Sequence, residues 1–457
     1  MEKFDVLVIG AGSGMNVASN SVASGMKTAV VEYGPMGGTC MNRGCIPSKI
    51  LIYPADVVVT VLEAHGLGVN ASVDSIDFKR IMERMREYVT EDVGRQARAV
   101  EATPNLTWFK SIGEFVSDYT MKVGGRLIQA NRIFIACGAR PGIPPLKGID
   151  KVNYLTSDTV LDLESAPKSM LIVGGGYIAA EYGHFFSSMG TKVTIIQRPP
   201  RLLPDEEPEI SALLKEEMEK RMSIFANHEA VEVREKNGVK TVKARDRGDG
   251  SLKEFSAEAL LIAAGRVPNS DLLKPQKTGV ELDERGYVKV NEFLETGKKN
   301  IWAFGDAIGK EMFKHVANYE SEIVWHNASH DHKAPMDYSA APHAVFTHPQ
   351  VASVGLKEAE AKKQGREILV GKALYADTAM GAAMGGVKGF VKVIVEQKTG
   401  KIFGGHIIGP FASILIQEIV NAMVADDKTF LPIIQGMHIH PAMSEVVQKA
   451  FGNLTEA

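Results

Sequence analysis

The most constraining feature of this chain is a pattern that occurs twice. Phe4–Gly10 (FDVLVIG) is a short apolar β run. The glycine-rich turn GAGSGM follows, then the helix-like segment MNVASNSVASGM, then a second β run, KTAVVE, ending at Glu32. Strand, tight turn, helix, strand and a terminal acid about 20 residues on is the fingerprint of a dinucleotide-binding unit. Gly10 makes the turn and Gly12 lets backbone approach a pyrophosphate, while the helix N-terminus faces its negative charge. Glu32 is placed to accept hydrogen bonds from an adenosine ribose. Residue 15, where the pattern calls for a small side chain, is methionine, which should push the helix slightly off the strand.

The pattern returns at Ser169–Gly174 (SMLIVG), followed by GGGYIAAEYGHFFSSMG and TKVTIIQ. Gly174, Gly176 and Ala179 fill its three small positions, so two dinucleotide sites are expected in one chain. The second unit lacks the acid. Gln197 stands in place of Glu32, followed by Arg198, Pro199, Pro200 and Arg201. A carboxylate there favours a free 2′-hydroxyl, whereas an amide with two guanidinium groups favours a 2′-phosphate. The reading therefore leans to NADP(H) over NAD(H), with two solvated loop arginines as the alternative.

Further along, NIWAFGD is a β run ending in Gly-Asp. Asp306 is either a helix cap or, after two nucleotide units, the holder of a polyol chain. From about Ala341 the texture changes to alternating runs such as GFVKVIVEQKTGKIFGGHIIG and the helix-like ASILIQEIVNAMVA, read as a third unit of antiparallel strands and helices. A net charge of −3 offers no basic field for nucleic acid or an anionic membrane. The first residues lack the charged-then-apolar layout of a signal peptide, and no uninterrupted apolar stretch is expected to span a bilayer.

Only three cysteines occur, and two, Cys40 and Cys45, stand together in GGTCMNRGCIPSK. Three cysteines make no disulfide framework, so a reducing cytoplasm is the expected setting. On a regular helix residues at this spacing lie roughly 8–9 Å apart, beyond the ~7 Å limit for a disulfide. A bond needs an irregular turn, which Asn42, Arg43 and Gly44 permit, with Pro47 suited to the start of the next helix. The pair is read as a reversible disulfide beside a redox cofactor. Half of a zinc site is the alternative, but it needs two more ligands, and the remaining cysteine, Cys137, lies in the apolar run RIFIAC as a small buried residue. No metal site is expected.

These segments resemble the glutathione-reductase-type flavoprotein disulfide reductases, the family that includes dihydrolipoamide dehydrogenase. GGTCMNRGCIPSK is similar to its redox-active motif, IACGARP to its second FAD signature (with Cys137 where threonine is usual), LIAAGRVPN to the close of the pyridine-nucleotide domain, NIWAFGDAIG to the ribityl-binding motif, and HIHPAMSE to the C-terminal catalytic signature. The resemblance implies an α/β chain with two Rossmann-like domains, for FAD and NAD(P), and a C-terminal α+β dimerisation domain. The boundaries expected are 1–150 and 270–340 for the two parts of the FAD domain, 151–269 for the NAD(P) domain and 341–457 for dimerisation.

By the same resemblance Cys45 faces the flavin, Cys40 exchanges with an external disulfide, Lys49 lies near flavin N5 with Glu181 as its ion-pair partner, and Asp306 binds FAD. His440, its tautomer set by Glu445, moves the proton that thiol–disulfide exchange requires. Cofactor contacts are further expected at Gly14, Gly38, Thr39, Gly138 and Ala317, and at Tyr177, Ile178 and Gly265. The family lends its histidine across a homodimer, so composite sites are implied. The redox motif and HIHP favour a lipoyl substrate. Gln197, Arg198 and Ala179 favour an NADPH-dependent reductase of a small disulfide, and YADTAMGAAMG and GAGSGM are similar to segments of mycothione reductases. Mercuric ion reductase is similar too, although no cysteine follows Cys137 here to capture the metal. A binding subunit docked on a multienzyme complex is the reading from another class. The role of His438 is left between catalysis and packing.

Overall fold

Glu2–Ile9 is a strand whose last four residues, Val6, Leu7, Val8 and Ile9, are all buried, as a parallel strand covered on both faces requires. It pairs in parallel with Thr28–Val31 on one side and Arg126–Ile135 on the other. Leu106–Phe109 lies beyond Thr28–Val31, and Ile301–Ala303 pairs with Arg126–Ile135, both parallel. Thr120–Val123 and Gly113–Ser117 add antiparallel strands to complete seven. The helix Gly14–Ala23 follows the first strand directly and buries Val17, Ala18 and Ser21.

This sheet belongs to the first of two compact units into which the computed structural model, describing residues 1–456, divides. The unit comprises Met1–Ile50, Met82–Gly142 and Gly265–Met336. The chain leaves and rejoins it beside a two-stranded ribbon, Ala139–Pro141 against Arg266–Pro268, closed by a hydrogen bond from Gly142 N to Gly265 O at 2.8 Å.

The second unit contains Leu51–Ile81, Ile143–Ala264 and the residues from Asp337 onward. Ser169–Val173 lies between Lys192–Ile196 and Ala259–Ile262, with Ser223–Phe225 outside, all in parallel. A three-stranded antiparallel sheet follows, of His228–Lys236, Val239–Asp246 and Leu252–Ala257. The C-terminal part is a six-stranded antiparallel sheet centred on Ile402–Ile408 and Phe390–Glu396, with the helix Ala412–Val424 burying Leu415, Ile416 and Ile419. Lys392, on a buried strand, meets Glu207, Glu209 and Glu358 at 3.1, 3.0 and 2.7 Å. A buried ammonium without such partners would be strongly unfavourable.

The helical stretch Gly38–Leu67 is long and apolar enough, by length and composition alone, to cross a membrane. The same stretch carries the cysteine pair and Pro54, and 33% of its most apolar window is buried inside the protein.

Candidate active site

In the first unit the glycine turn has no room for a side chain at Gly10 or Gly14. Gly10 has φ +106°, and a Cβ there would lie 2.1 Å from Ala136 O. A Cβ on Gly38 would lie 2.6 Å from Gly12 Cα, so the start of the redox motif is pressed onto the turn. The Gly14–Ala23 helix has no side-chain cap, and Met15 N and Asn16 N turn back to Gly12 O and Ser13 O at 3.3 and 3.1 Å, so the positive end of the helix faces the turn. Glu32 accepts from Ala11 N at 2.9 Å and Gly34 N at 2.7 Å, which fixes its carboxylate at the end of the second strand. Asp306 is partly buried, with Arg266 Nε 3.4 Å from its Oδ2. Burial pushes its carboxyl up and the guanidinium pulls it down. Arg266 Nε makes no hydrogen bond of its own despite being buried. A turn closed to a Cβ at Gly10 and Gly14, a helix N-terminus without a side-chain cap, a fixed strand-end carboxylate and a sequestered acid fit a flavin dinucleotide. Gly138, with φ +68°, accepts from Asn269 N through its carbonyl, and Ala317 is buried beneath Gly305, 3.4 Å from where a Cβ would be.

Met15 does not displace the helix. The close helix–strand contact is made one residue earlier, at Gly14, where a Cβ would lie 2.8 Å from Val8 Cγ1, and Met15 packs against the margin of the core.

Cys40 and Cys45 lie on different helices, Gly38–Arg43 and Cys45–Glu63, interrupted at Gly44 with φ −131° and ψ −120°. A Cβ on Gly44 would stand 2.9 Å from Thr39 O and 3.1 Å from Cys40 Cα. Only glycine lets the chain double back this tightly, and the result is that the two side chains are hydrogen-bonded. Both are present as thiols. The bond to Cys45 and then burial push the Cys40 thiol far above its ordinary range, so Cys40 keeps its proton and Cys45 accepts from it. Cys137, just past the strand Arg126–Ile135, is pushed up to about 12 by burial, which marks it as inert. Among the described residues no group of three or more His, Cys, Asp or Glu is arranged to hold a metal ion.

Lys49 is on the same helix as Cys45, and its Nζ reaches Ser48 Oγ at 3.4 Å. Glu181 is buried in the second unit, where its Oε1 accepts from Phe346 N at 3.0 Å. A residue that sequence reasoning missed is Lys314, at the start of the helix Lys314–Ser329. Its Nζ donates to Ser13 Oγ at 2.9 Å, and its charge is felt by both thiols.

The second unit repeats the turn. Gly174 has φ +125°, and a Cβ would lie 2.1 Å from Ala263 O. Gly176 caps the helix Tyr177–Ser188, whose first residues are Tyr177 and Ile178. Gln197 is buried against Gly175 and its Nε2 donates to Arg201 O at 3.2 Å. Arg198 is largely exposed, 3.9 Å from Glu229. Gly265, with φ +123°, stands at the return to the first unit.

His440 is 72% exposed, and its Nδ1 lies 2.9 Å from Glu445 Oε1. A carboxylate only accepts, so Nδ1 carries the hydrogen and Nε2 is left as the base facing outward. His440, and then the Ala442 amide, hold the Glu445 carboxyl below its usual range. Next to this pair Met437 and Ile439 are exposed apolar side chains. His438 is different: its ring nitrogens face Glu418 Oε1 at 2.8 Å and Gly436 O at 3.1 Å, a packing tie with no nitrogen left for chemistry.

Residues 4–329 match the family described as pyridine nucleotide-disulphide oxidoreductase, and residues 341–451 match its dimerisation domain. The mycothione reductase of Mycobacterium tuberculosis (strain CDC 1551 / Oshkosh) is 34% identical, covering 98% of this chain and 99% of that protein. The dihydrolipoyl dehydrogenase of Chlamydia trachomatis serovar D is also 34% identical, over 97% of this chain and 95% of its own. The structure of the copper(II) complex of RclA, an HOCl-induced flavoprotein disulfide reductase of Escherichia coli, is similar with a TM-score of 0.88 at 27% identity over 99% of both chains. The chain belongs to the pyridine nucleotide-disulphide oxidoreductase family, flavoproteins that use FAD and NAD(P)H.

Proposed function

We propose that this protein moves two electrons between NAD(P)H and a dithiol/disulfide substrate through Cys40 and Cys45, in the manner of a dihydrolipoyl dehydrogenase. The observation that carries it is the thiol contact across the Gly44 break. FAD, when bound, supplies two-electron transfer between the nicotinamide and the sulfur pair. Gly10, Gly12, Gly14, Glu32, Gly38, Thr39, Lys49, Gly138, Asp306 and Ala317 would hold it. Gly174, Gly176, Tyr177, Ile178, Gln197, Arg198, Arg201 and Gly265 would hold the coenzyme.

In the reducing direction Cys40 gives its proton to His440 Nε2 and attacks one sulfur of the external disulfide. The first thiol leaves with a proton from His440. The Cys45 thiolate then attacks Cys40, the second thiol leaves with a proton taken up from water, and a Cys40–Cys45 bond remains. The substrate has gained two electrons and two protons, and the protein pair has lost both electrons and the one proton that Cys40 carried. Lys49 and Glu181 are read as the pair that tunes the flavin. His440 is read as serving a second copy of the chain: it is exposed, it sits beside the uncovered Met437 and Ile439, and a dimerisation domain carries it. The cytoplasm is the proposed setting, on the reduced state such a thiol pair needs.

A second reading, NADPH-driven reduction of a small disulfide, is favoured by the neutral Gln197 with Arg198 and Arg201 nearby. Steady-state turnover with NADH and NADPH, each against lipoamide, glutathione disulfide and mycothione, separates the two. NADH or NAD⁺ with the lipoyl pair supports the first, and NADPH with a small disulfide the second. No disulfide turnover with either coenzyme would remove both, and full turnover by a monomer in sedimentation would remove the shared site.

A further inference from the structure

Lys314 stands far from the redox motif in sequence and beside it in space. Its Nζ donates to Ser13 Oγ at 2.9 Å, and Ser13 Oγ in turn lies 2.9 Å from Asn318 Oδ1. A hydroxyl has one hydrogen, so Ser13 donates it to Asn318 and receives the lysine N–H on a lone pair. Ser13 follows Gly12, which is pressed against Gly38 at the start of the helix that bears Cys40. This chain of contacts ties the ammonium to the turn on which the Cys40 helix begins, and its charge acts on both sulfurs.

The charged groups facing Cys40 are Cys45 and Lys314, and those facing Lys314 are the two sulfurs. Arg43 and Lys49 are the other cations on the motif's helices, and Lys49 is directed to Ser48. On the lysine's own helix His315 is the neighbour, and the Glu320 carboxylate is engaged by Gly305 N at 2.6 Å. Burial pulls the Lys314 ammonium below its ordinary range, and the sulfurs push it back. A half-buried cation whose facing groups are two thiols is stabilised when one of them is charged.

We infer that Lys314 is a positioning residue of the sulfur chemistry, holding the negative charge of the reduced Cys40–Cys45 pair. Two electrons from NAD(P)H, by the family reaction, break the Cys40–Cys45 bond. With one proton taken up they leave one thiol and one thiolate, and the ammonium compensates the second negative charge that no proton cancels. This rests on the redox role proposed for the pair.

The test alkylates the NAD(P)H-reduced holoenzyme with iodoacetamide from acid to alkaline pH and reads Cys40 and Cys45 by mass spectrometry. It compares the wild type with Lys314→Met, Lys314→Gln, Lys314→Arg and Ser13→Ala. The pH midpoint of alkylation should rise by about one unit in Lys314→Met and Lys314→Gln, an approximately tenfold slower reaction below it. Lys314→Arg should restore it. Lys314→Gln keeps a donor for Ser13, so it decides the matter if Lys314→Met does not fold. Ser13→Ala removes the hydrogen bond but not the charge; a merely structural lysine would make it behave like Lys314→Gln, with flavin content falling and the midpoint unmoved. An unchanged midpoint in Lys314→Gln overturns the inference. If NAD(P)H fails to expose the wild-type pair to alkylation at all, it is the redox reading that falls.

Discussion

The two glycine turns of this chain share a backbone and differ in one side chain. Gly10 N donates to Val31 O at 2.9 Å, and Gly174 N donates to Ile196 O at the same distance. Ala136 N reaches Ile9 O, and Ala263 N reaches Val173 O, each at 2.8 Å. Both glycines have positive φ and both face a carbonyl that a Cβ would strike at 2.1 Å. At the end of the next strand the likeness stops. Glu32 places its carboxylate on two backbone amides, whereas Gln197 packs against Gly175 and donates to Arg201 O. In the function proposed above, the turn receives a pyrophosphate and the strand-end residue reads what lies beyond it.

The largest expected effect breaks one turn at a time. Gly10→Ala and Gly174→Ala each place a methyl on a carbonyl oxygen at positive φ, a strain of about 3 kcal/mol or more. Gly10→Ala should purify without the flavin absorbance. Gly174→Ala should keep that absorbance and lose reduction by NAD(P)H under anaerobic conditions. A coloured Gly10→Ala protein would show that the turns are not specialised as described.

A smaller effect sharpens the comparison. Gln197→Glu gives the second turn the charge of the first. Carboxylate against a 2′-phosphate should shift the ratio of kcat/KM for NADPH over NADH about 10–100-fold towards NADH. An unmoved ratio would mean that the strand end does not read the coenzyme.

The smallest effect concerns the third position. Ala179 is fully buried and Met15 is not. Ala179→Met should therefore destabilise by about 1–3 kcal/mol through overpacking. Met15→Ala should lose only about 1 kcal/mol, as Gly14 makes the close contact. Thermal unfolding of both variants measures the difference, and equal losses would mean that the two helices meet their strands alike.

Both turns, the strand-end residues, the cysteine pair and the His440–Glu445 spacing are readable because each is a local pattern whose members lie within one element or its neighbour. What was not readable depends on distant segments. Gly14 takes over the close contact because Val8 and Ala136 meet it there, which the fingerprint spacing does not reveal. Lys314 looks like any helix-start lysine until Ser13 and the thiols are brought to it. HxHP suggests two histidines with one purpose, yet Glu418 and Gly436 take His438 out of the chemistry.

The break at Gly44 has a mechanical consequence. Sulfurs in hydrogen-bond contact must close to about 2.0 Å when they bond, and a continuous helix has no slack for such travel. Here the motion can be taken up at one joint without a side chain, while the long helix that carries Cys45 stays anchored. The repeated opening and closing of a covalent link then leaves the rest of the scaffold at rest.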